Sequence, residues 1–399
     1  MALKRIADSV QDSFYRWGWL IPAFLPLAQV AGRGVFNTLS AIYFLWAIAS
    51  LRGVSGAIGD FRPYRWFFAL YALMLLVWAL SLTQAADIRE GSYDLLRYLQ
   101  YSLTGLFTLL VLLQGPGQLD RLVRALAWGA FLVIVVLYLQ LPYYLFAVEF
   151  EPAFQLREDN LPWLLAFLLL GLSGLKHARW LAGAAVVAFA IYIGISQGRA
   201  ALLGLLVALT VFAMLGFKVR KTTLVASALA ILAMGIVLGE RFFRDTSGLA
   251  FDFATLDRFS SGRVTIWWQA LNAPPENIWL GVGLGNVASH TEVLRISSAE
   301  TVKHLHNFLF DAWFETGLLG LGAMLVLFGA TLTHGVRTWR RIEGAHRLIA
   351  AAAIAGIAAL LAAGLLSFSY TSRQFALYLY LLFAILLALP AAARGASRS

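Results

Sequence analysis

The chain consists largely of long apolar runs, each close to the length that crosses the hydrocarbon core of a bilayer. Its 399 residues are 60% hydrophobic and 13% charged. Because the lipid interior offers no water to backbone N–H and C=O groups, runs of this length indicate helices. The sequence therefore predicts an all-α polytopic membrane protein of about 12 transmembrane helices, at residues 17–32, 36–51, 66–85, 98–114, 124–147, 161–176, 180–197, 200–217, 222–239, 316–334, 347–367 and 374–393.

Basic residues alternate between the two sides of these predicted spans. Cytoplasmic loops collect Lys and Arg, so the loops rich in these residues are assigned to the cytoplasm, and both termini with them. A single span over 180–217 would put Lys218, Arg220 and Lys221 on the outer side, which favours two spans there. The net charge of +10 is then a topology signal, and we expect membrane lipids and no nucleic acid as partners.

Residues 240–307 form a long connection between the ninth and tenth predicted spans. We expect residues 1–399 to form a single transmembrane bundle, with 240–307 as a large helical loop on the outer side. A connection of this length is typical of a lid or a binding surface. The apolar residues Val264, Trp267, Trp268 and Leu271 follow helical spacing, which predicts a helix along the membrane surface with its tryptophans at headgroup depth.

Arginines on the predicted outer side are candidates for binding an anion. Arg199 follows Gly198, which permits close approach of a ligand to the backbone. Arg263 begins the predicted surface helix, whose first N–H groups would also favour a phosphate. Plainer interpretations stay open, since Arg199 could anchor a helix at the interface and Arg263 could be solvated. Arg258 and Arg373 are further outer cations of the same possible pocket.

Two histidines precede the tenth predicted span. His306 is suited to act as a general base, because an imidazole with an ordinary pKa of about 6.5 is largely neutral at pH 7, and His304 could serve instead. Asp311 could orient an imidazole, and Glu315 could bind a sugar hydroxyl. Each could equally be an ordinary residue of a helix start, where the helix dipole favours acidic side chains.

The composition excludes some chemistry. Without cysteine, the chain has no disulfide, thiolate metal site or cysteine nucleophile. Its six histidines are scattered, and no His, Asp or Glu set has ligand spacing, so we expect no metal and no cofactor. The run Gly281-Val282-Gly283-Leu284-Gly285 lacks the preceding strand and the lysine of a phosphate loop, and it predicts a turn.

Three motifs resemble the O-antigen ligase and polymerase family of polytopic envelope proteins. His306-Asn307, followed after nine residues by Gly317-x-x-Gly320, is similar to the histidine motif of the ligases. Ser196-Gln197-Gly198-Arg199 resembles their arginine turn. Arg263 with Trp267 and Gly281-Val282-Gly283 resembles their periplasmic loop, and the resemblance extends over roughly residues 180–340.

The resemblance implies transfer of a polysaccharide from an undecaprenyl-pyrophosphate carrier to a sugar hydroxyl of the lipid A core, on the periplasmic face of a Gram-negative inner membrane. It implies that Arg199 and Arg263 bind the pyrophosphate while His306 accepts the hydroxyl proton in one inverting step. The glycosyl-pyrophosphate bond would supply the energy, since no ATP is expected outside the membrane. Candidate substrate-binding residues are Asn307, Gly198, Arg258, Asp311, Glu315 and Arg373.

Other functions remain open at this point. An O-antigen polymerase uses the same donor with a carrier-linked acceptor. A protein O-oligosaccharyltransferase uses a protein acceptor and commonly has a soluble C-terminal region, whereas this chain ends at Ser399, shortly after its last predicted span. A lipid or polysaccharide transporter would carry charges at mid-membrane, but the charges here lie at the predicted outer rim.

Overall fold

The computed structural model describes residues 2–51, 57–146, 162–174, 179–196, 199–216, 253, 257, 260, 262–290 and 304–396. Within these ranges the regular structure is all helical, which confirms the predicted fold class. The predicted span 222–239 and much of the predicted outer loop 240–307 lie outside the described residues, as do Gly198 and Arg258.

The α-helices, in chain order, are α1 Ala2–Trp17, α2 Leu20–Val30, α3 Arg33–Ser50, α4 Arg65–Ser81, α5 Ile88–Leu112, α6 Pro116–Phe146, α7 Pro162–Gly174, α8 Arg179–Ser196, α9 Arg199–Gly216, α10 Arg263–Asn272, α11 Phe308–Arg341, α12 Gly344–Gly364 and α13 Arg373–Ala396. Short 3-10 helices cover Ala57–Tyr64, Leu82–Gln84 and Val287–His290.

Several of these helices can cross a bilayer. Among the described residues, 7 segments are long and apolar enough: Phe61–Gln84, Ile88–Leu112, Gly117–Leu139, Arg199–Gly216, Phe308–Arg341, Gly344–Gly364 and Arg373–Arg394. Every predicted span that falls on described residues overlaps a helix, and α8 and α9 are separate helices as predicted. The chain is thus a multi-pass membrane protein, while the count of about 12 spans stays a prediction.

Close backbone contacts at small residues hold the bundle together. A methyl group at Gly105 of α5 would lie 2.5 Å from the carbonyl oxygen of Leu377 in α13. Gly356 of α12 packs directly on Ala166 of α7. Because lipid tails are as apolar as the helices themselves, tight packing of this kind is a main source of helix association in a bilayer.

Contacts between α9, α11 and α12 show which helix ends meet. Gly204, near the start of α9, packs against Ala363, near the end of α12, whereas Gly216 lies beside Leu348 at the opposite ends of both helices. The Trp339 indole N–H, near the end of α11, donates to a carbonyl in the last turn of α9. The starts of α9 and α11 and the end of α12 therefore lie at one end of the bundle, the predicted outer end.

Helix α11 is interrupted at Gly317, which adopts φ 66° and ψ −171°. A helical N–H donates to the carbonyl four residues earlier, so this break separates two such pairs. The carbonyls of Phe314 and Glu315 lose the N–H groups of Leu318 and Leu319. Buried backbone groups must find other partners, because leaving them unpaired is costly.

Residues 277–285, which we call the brace, supply all four partners. The N–H groups of Val282 and Gly283 donate to the two carbonyls at 2.9 and 3.0 Å. The carbonyls of Ile278 and Trp279 accept from the two N–H groups at 2.9 and 3.2 Å. The glycine run that predicted a turn is therefore a segment that completes the hydrogen bonding of a broken helix, with positive φ at each of its three glycines.

Candidate active site

A short turn precedes α11 at the predicted outer end of the bundle. We call His304, Leu305 and His306 the histidine turn. The two imidazole rings meet edge to face, with centroids 4.1 Å apart. His306 has a φ of 55°. Among the described residues, every other residue with a positive φ is a glycine. This conformation costs on the order of 1 kcal/mol for a residue with a Cβ atom, so surrounding contacts must maintain it.

Asn307 caps the start of α11. Its side-chain Oδ1 accepts from the N–H groups of Leu309 and Phe310 at 2.9 and 3.3 Å. Asparagine is a favoured N-cap residue because its side chain satisfies N–H groups that have no helical partner. The structure thus gives Asn307 a structural role, and its predicted substrate contact stays a prediction.

Both imidazoles are held in the neutral form. Burial, the neighbouring His304 and the Arg263 charge lower the pKa of His306 to about 4, although its hydrogen bond to the Ser367 backbone acts in the opposite direction. Burial and Arg263 also lower the pKa of His304. A neutral ring whose N–H donates to the Ser367 carbonyl keeps its second nitrogen as an acceptor. That is the state in which an imidazole can take a proton.

The predicted catalytic residues come from three separate parts of the chain. Arg263 is the first residue of α10, partly buried, and its charge acts on both histidines. Arg199 is the first residue of α9, partly buried, at the same end of the bundle as His306. The structure therefore places Arg263 within electrostatic range of His306 and puts Arg199 at the same end of the bundle.

The start of α10 differs from the expectation of N–H groups open to a phosphate. The Ser260 hydroxyl accepts from the Val264 N–H at 3.0 Å, and the Asp257 carboxylate accepts from the Thr265 N–H at 2.7 Å. The expectation of open N–H groups is wrong for Val264 and Thr265, because a hydroxyl and a carboxylate of the protein already accept from them. The positive charge of the Arg263 side chain still suits an anion.

The two tryptophans of α10 face different surroundings. Trp268 is 59% exposed, and its position at headgroup depth stays a prediction. Trp267 instead points inward: its indole N–H donates to the Leu305 carbonyl at 2.9 Å, and its ring stacks on Phe310 with centroids 5.8 Å apart. Trp267 therefore contacts the histidine turn, and its depth relative to the headgroups stays a prediction.

Two buried carboxyl groups lie beneath the histidine turn. Asp311 accepts the Leu305 N–H, so it acts on the backbone between the histidines and not directly on an imidazole. Glu315, 3% exposed, accepts the Tyr370 hydroxyl at 2.6 Å and the Gly285 N–H. Its predicted contact with a sugar hydroxyl conflicts with this burial, because both partners are groups of the protein itself.

Arg373 belongs to a group of side chains that adjoins Glu315 and the brace, because Asp94 of this group lies beside Gly285 and acts electrostatically on Glu315. Arg373 begins α13 and sits near Asp94 and Tyr101 of α5. Asp94 is also paired with Arg97, at 2.8 Å. Within the described ranges, no set of three or more His, Asp or Glu side chains is arranged to hold a metal ion.

Sequence reasoning missed several residues that support the site. Ser367 and Tyr370 lie in the connection between α12 and α13, where a run of hydroxyl side chains between two spans was the available signal. Asn286 follows the brace and bonds both backbone groups of Asp87, accepting its N–H at 2.7 Å and donating to its carbonyl at 3.2 Å. This links the brace to the start of α5.

The chain was also compared with known proteins. Residues 183–326 match the family profile described as O-antigen ligase, a range that contains Arg199, Arg263 and His306. A search of the curated proteins found no match. The family match agrees with the resemblance of the three motifs: over residues 183–326, about a third of its length, the chain is similar to the O-antigen ligase family.

Proposed function

We propose that this protein transfers a polysaccharide from undecaprenyl pyrophosphate to a sugar hydroxyl of the lipid A core, at the periplasmic face of a Gram-negative inner membrane. The observation that carries the proposal is the placement of His306 within electrostatic range of Arg263, whose charge lowers the imidazole pKa, at the same end of the bundle as Arg199. A base and two cations so placed suit a reaction in which an alcohol attacks and a diphosphate leaves.

The reaction needs one bond to form and one to break. The acceptor oxygen attacks the anomeric carbon of the donor sugar as His306 takes the hydroxyl proton. The bond from that carbon to the pyrophosphate oxygen breaks, and undecaprenyl pyrophosphate leaves with the electron pair. A single displacement of this kind inverts the anomeric centre. No metal or other cofactor takes part, because the two guanidinium groups supply the positive charge.

The arginines act on the charge that develops on the leaving group. A preorganised donor of this type contributes on the order of 3 kcal/mol, about two factors of ten in rate. Arginine suits the task because its planar, always charged guanidinium bonds two phosphate oxygens at once. We propose that Arg199 and Arg263 hold the two phosphates, with Gly198 and Arg258 as further donor contacts on the strength of the sequence.

His306 is the better candidate for the base. The Ser367 backbone raises the His306 pKa as an acceptor does, so one ring nitrogen would donate to it and the other would be left to accept a proton. His304 contacts the His306 ring edge to face and has a buried Nδ1 without a partner among the described residues. We propose that His304 supports the His306 ring and does not itself take the proton.

The test uses purified protein in liposomes with a labelled carrier-linked polysaccharide and three acceptors: lipid A core, a carrier-linked repeat and a pilin-like protein. We expect label on the lipid A core. His306→Asn should lower the rate by a factor of about 10² to 10⁴, as loss of a general base does. Asparagine tolerates the left-handed backbone of this position, so the variant tests the imidazole and not the turn.

His290→Ala is the matched control, because His290 is exposed on the same side of the protein. It should leave the rate unchanged. Label on the carrier-linked repeat instead of the lipid A core would identify a polymerase, and label on the pilin-like protein a protein glycosyltransferase. Transfer by His306→Asn at the parent rate would remove the general-base assignment.

A further inference from the structure

The Leu305 peptide groups are bonded by side chains from two different helices. Asp311 of α11 accepts the Leu305 N–H, and Trp267 of α10 donates to the Leu305 carbonyl at 2.9 Å. The Leu305 side chain is fully buried, in a cluster that includes Ile266 and Val282. The residue between the two histidines is therefore fixed at its N–H, its carbonyl and its side chain.

These contacts bear directly on the backbone of His306. The φ angle of a residue is measured from the preceding carbonyl carbon, so fixing the Leu305 carbonyl limits rotation at His306. The left-handed conformation of a residue with a Cβ atom is unfavourable on its own and persists where the surroundings maintain it. The Trp267 and Asp311 contacts supply such surroundings.

We propose that Trp267 and Asp311 are positioning residues that hold His306 in its reactive orientation, and that Trp267 couples this orientation to the helix carrying Arg263. Arg263 and Trp267 are four residues apart on α10, so they project from the same side of the helix. One turn of α10 then carries both Arg263, which binds the donor pyrophosphate, and Trp267, which fixes the turn that holds the base His306. This inference rests on the proposed function.

The groups that face His306 come from each neighbouring element. His304 lies in the same turn, Arg263 comes from α10, and the Ser367 carbonyl belongs to the connection between α12 and α13. Asp311 of α11 lies behind Leu305. Loosening the turn would let the imidazole move away from the positive charge of Arg263 and toward water, where its pKa is about 6.5.

The first experiment compares Trp267→Phe with Trp268→Phe. The first variant keeps a ring for stacking on Phe310 but removes the N–H that reaches Leu305, whereas the second alters an exposed neighbour. We expect Trp267→Phe to lower kcat by about tenfold to a hundredfold, as a misplaced catalytic group does, with little change in donor KM. Trp268→Phe should keep the parent kcat.

The second experiment follows the histidine side chains by NMR on isotope-labelled protein, which does not depend on any acceptor. The His306 resonance, assigned with His306→Asn, should titrate near pH 4 in the parent and at a higher pH in Trp267→Phe. Asp311→Ala should show the same shift, and Asp311→Asn, which keeps an oxygen to accept the Leu305 N–H, should restore the parent titration.

Parent kcat and parent titration in Trp267→Phe would overturn the inference. A loss of kcat shared equally by Trp268→Phe, with no change in the His306 titration, would also overturn it, because that pattern indicates general destabilisation. Absence of transfer by the parent protein to all three acceptors would defeat the proposed function instead. The NMR titration would still decide whether the two side chains position His306.

Discussion

Gly317→Ala is the perturbation whose effect can be worked out most fully from the structure. Gly317 has φ 66° and ψ −171°, a conformation that other residues adopt at a cost of on the order of 1 to 3 kcal/mol. A methyl group there would also collide with the Trp279 carbonyl of the brace. Because that neighbour is backbone, it cannot turn aside as a flexible side chain would.

Relief of the collision requires the brace to move from α11. That movement would weaken the four backbone hydrogen bonds between them, each contributing about 1 kcal/mol. Strain and lost bonds together come to about 5 to 7 kcal/mol if all four bonds are lost, a large part of the stability of an ordinary domain. We expect the thermal midpoint of the detergent-solubilised protein to fall by several degrees and polysaccharide transfer to be lost.

Gly322→Ala is the matched control on the same helix. A methyl group at this position meets no atom within 4 Å, and its backbone is ordinary. Alanine in a helix interior is about 1 kcal/mol better than glycine, so this variant should keep or slightly raise the midpoint. If Gly317→Ala behaved like Gly322→Ala in the melting assay, the account of the brace would be refuted.

Two further predictions concern the site and its support. Because a base works when deprotonated and the His306 pKa is about 4, kcat/KM should fall as the pH drops through about 4. Arg263→Gln should move this decline to higher pH, because it removes one cause of the low pKa. A decline near pH 6.5 in the parent protein would contradict the lowered His306 pKa. Tyr370→Phe should destabilise the protein by about 1 to 3 kcal/mol, because the buried Glu315 carboxyl loses a hydroxyl donor. The comparison is Tyr15→Phe, at a partly buried tyrosine of α1. Equal melting midpoints for the two variants would argue against the contribution of the Tyr370 bond.

The helices were predictable because their cause is local. A run of apolar residues long enough to cross a bilayer has few structures open to it, so predicted spans such as 347–367 and 374–393 overlap α12 and α13. The histidine motif is also local in part. Asn307 caps and Gly317 interrupts the same helix, and both features follow from residue type.

The supports of the site were hidden because their partners are distant and often backbone. Trp267 bonds a carbonyl 38 residues away, and Tyr370 bonds a carboxyl 55 residues away. A carbonyl acceptor leaves no mark on the sequence, since every residue has one. Asp311 and Glu315 were predicted to orient an imidazole and to bind a sugar hydroxyl, or else to be ordinary acidic residues of a helix start, and the structure buries both.

Of the two roles predicted for residues 240–307, a lid or a binding surface, the lid is limited by how the described part is attached. The brace shares four hydrogen bonds with α11, Trp267 bonds the histidine turn, and Asn286 bonds the start of α5 at two atoms. Opening residues 262–290 as a unit would break these bonds at about 1 kcal/mol each and release His306 from its turn. A lid that dismantled the base whenever it opened would have to rebuild the site in each cycle. This part of the outer segment is therefore better suited to be a fixed wall that keeps Arg263 and His306 together while the substrates enter past it.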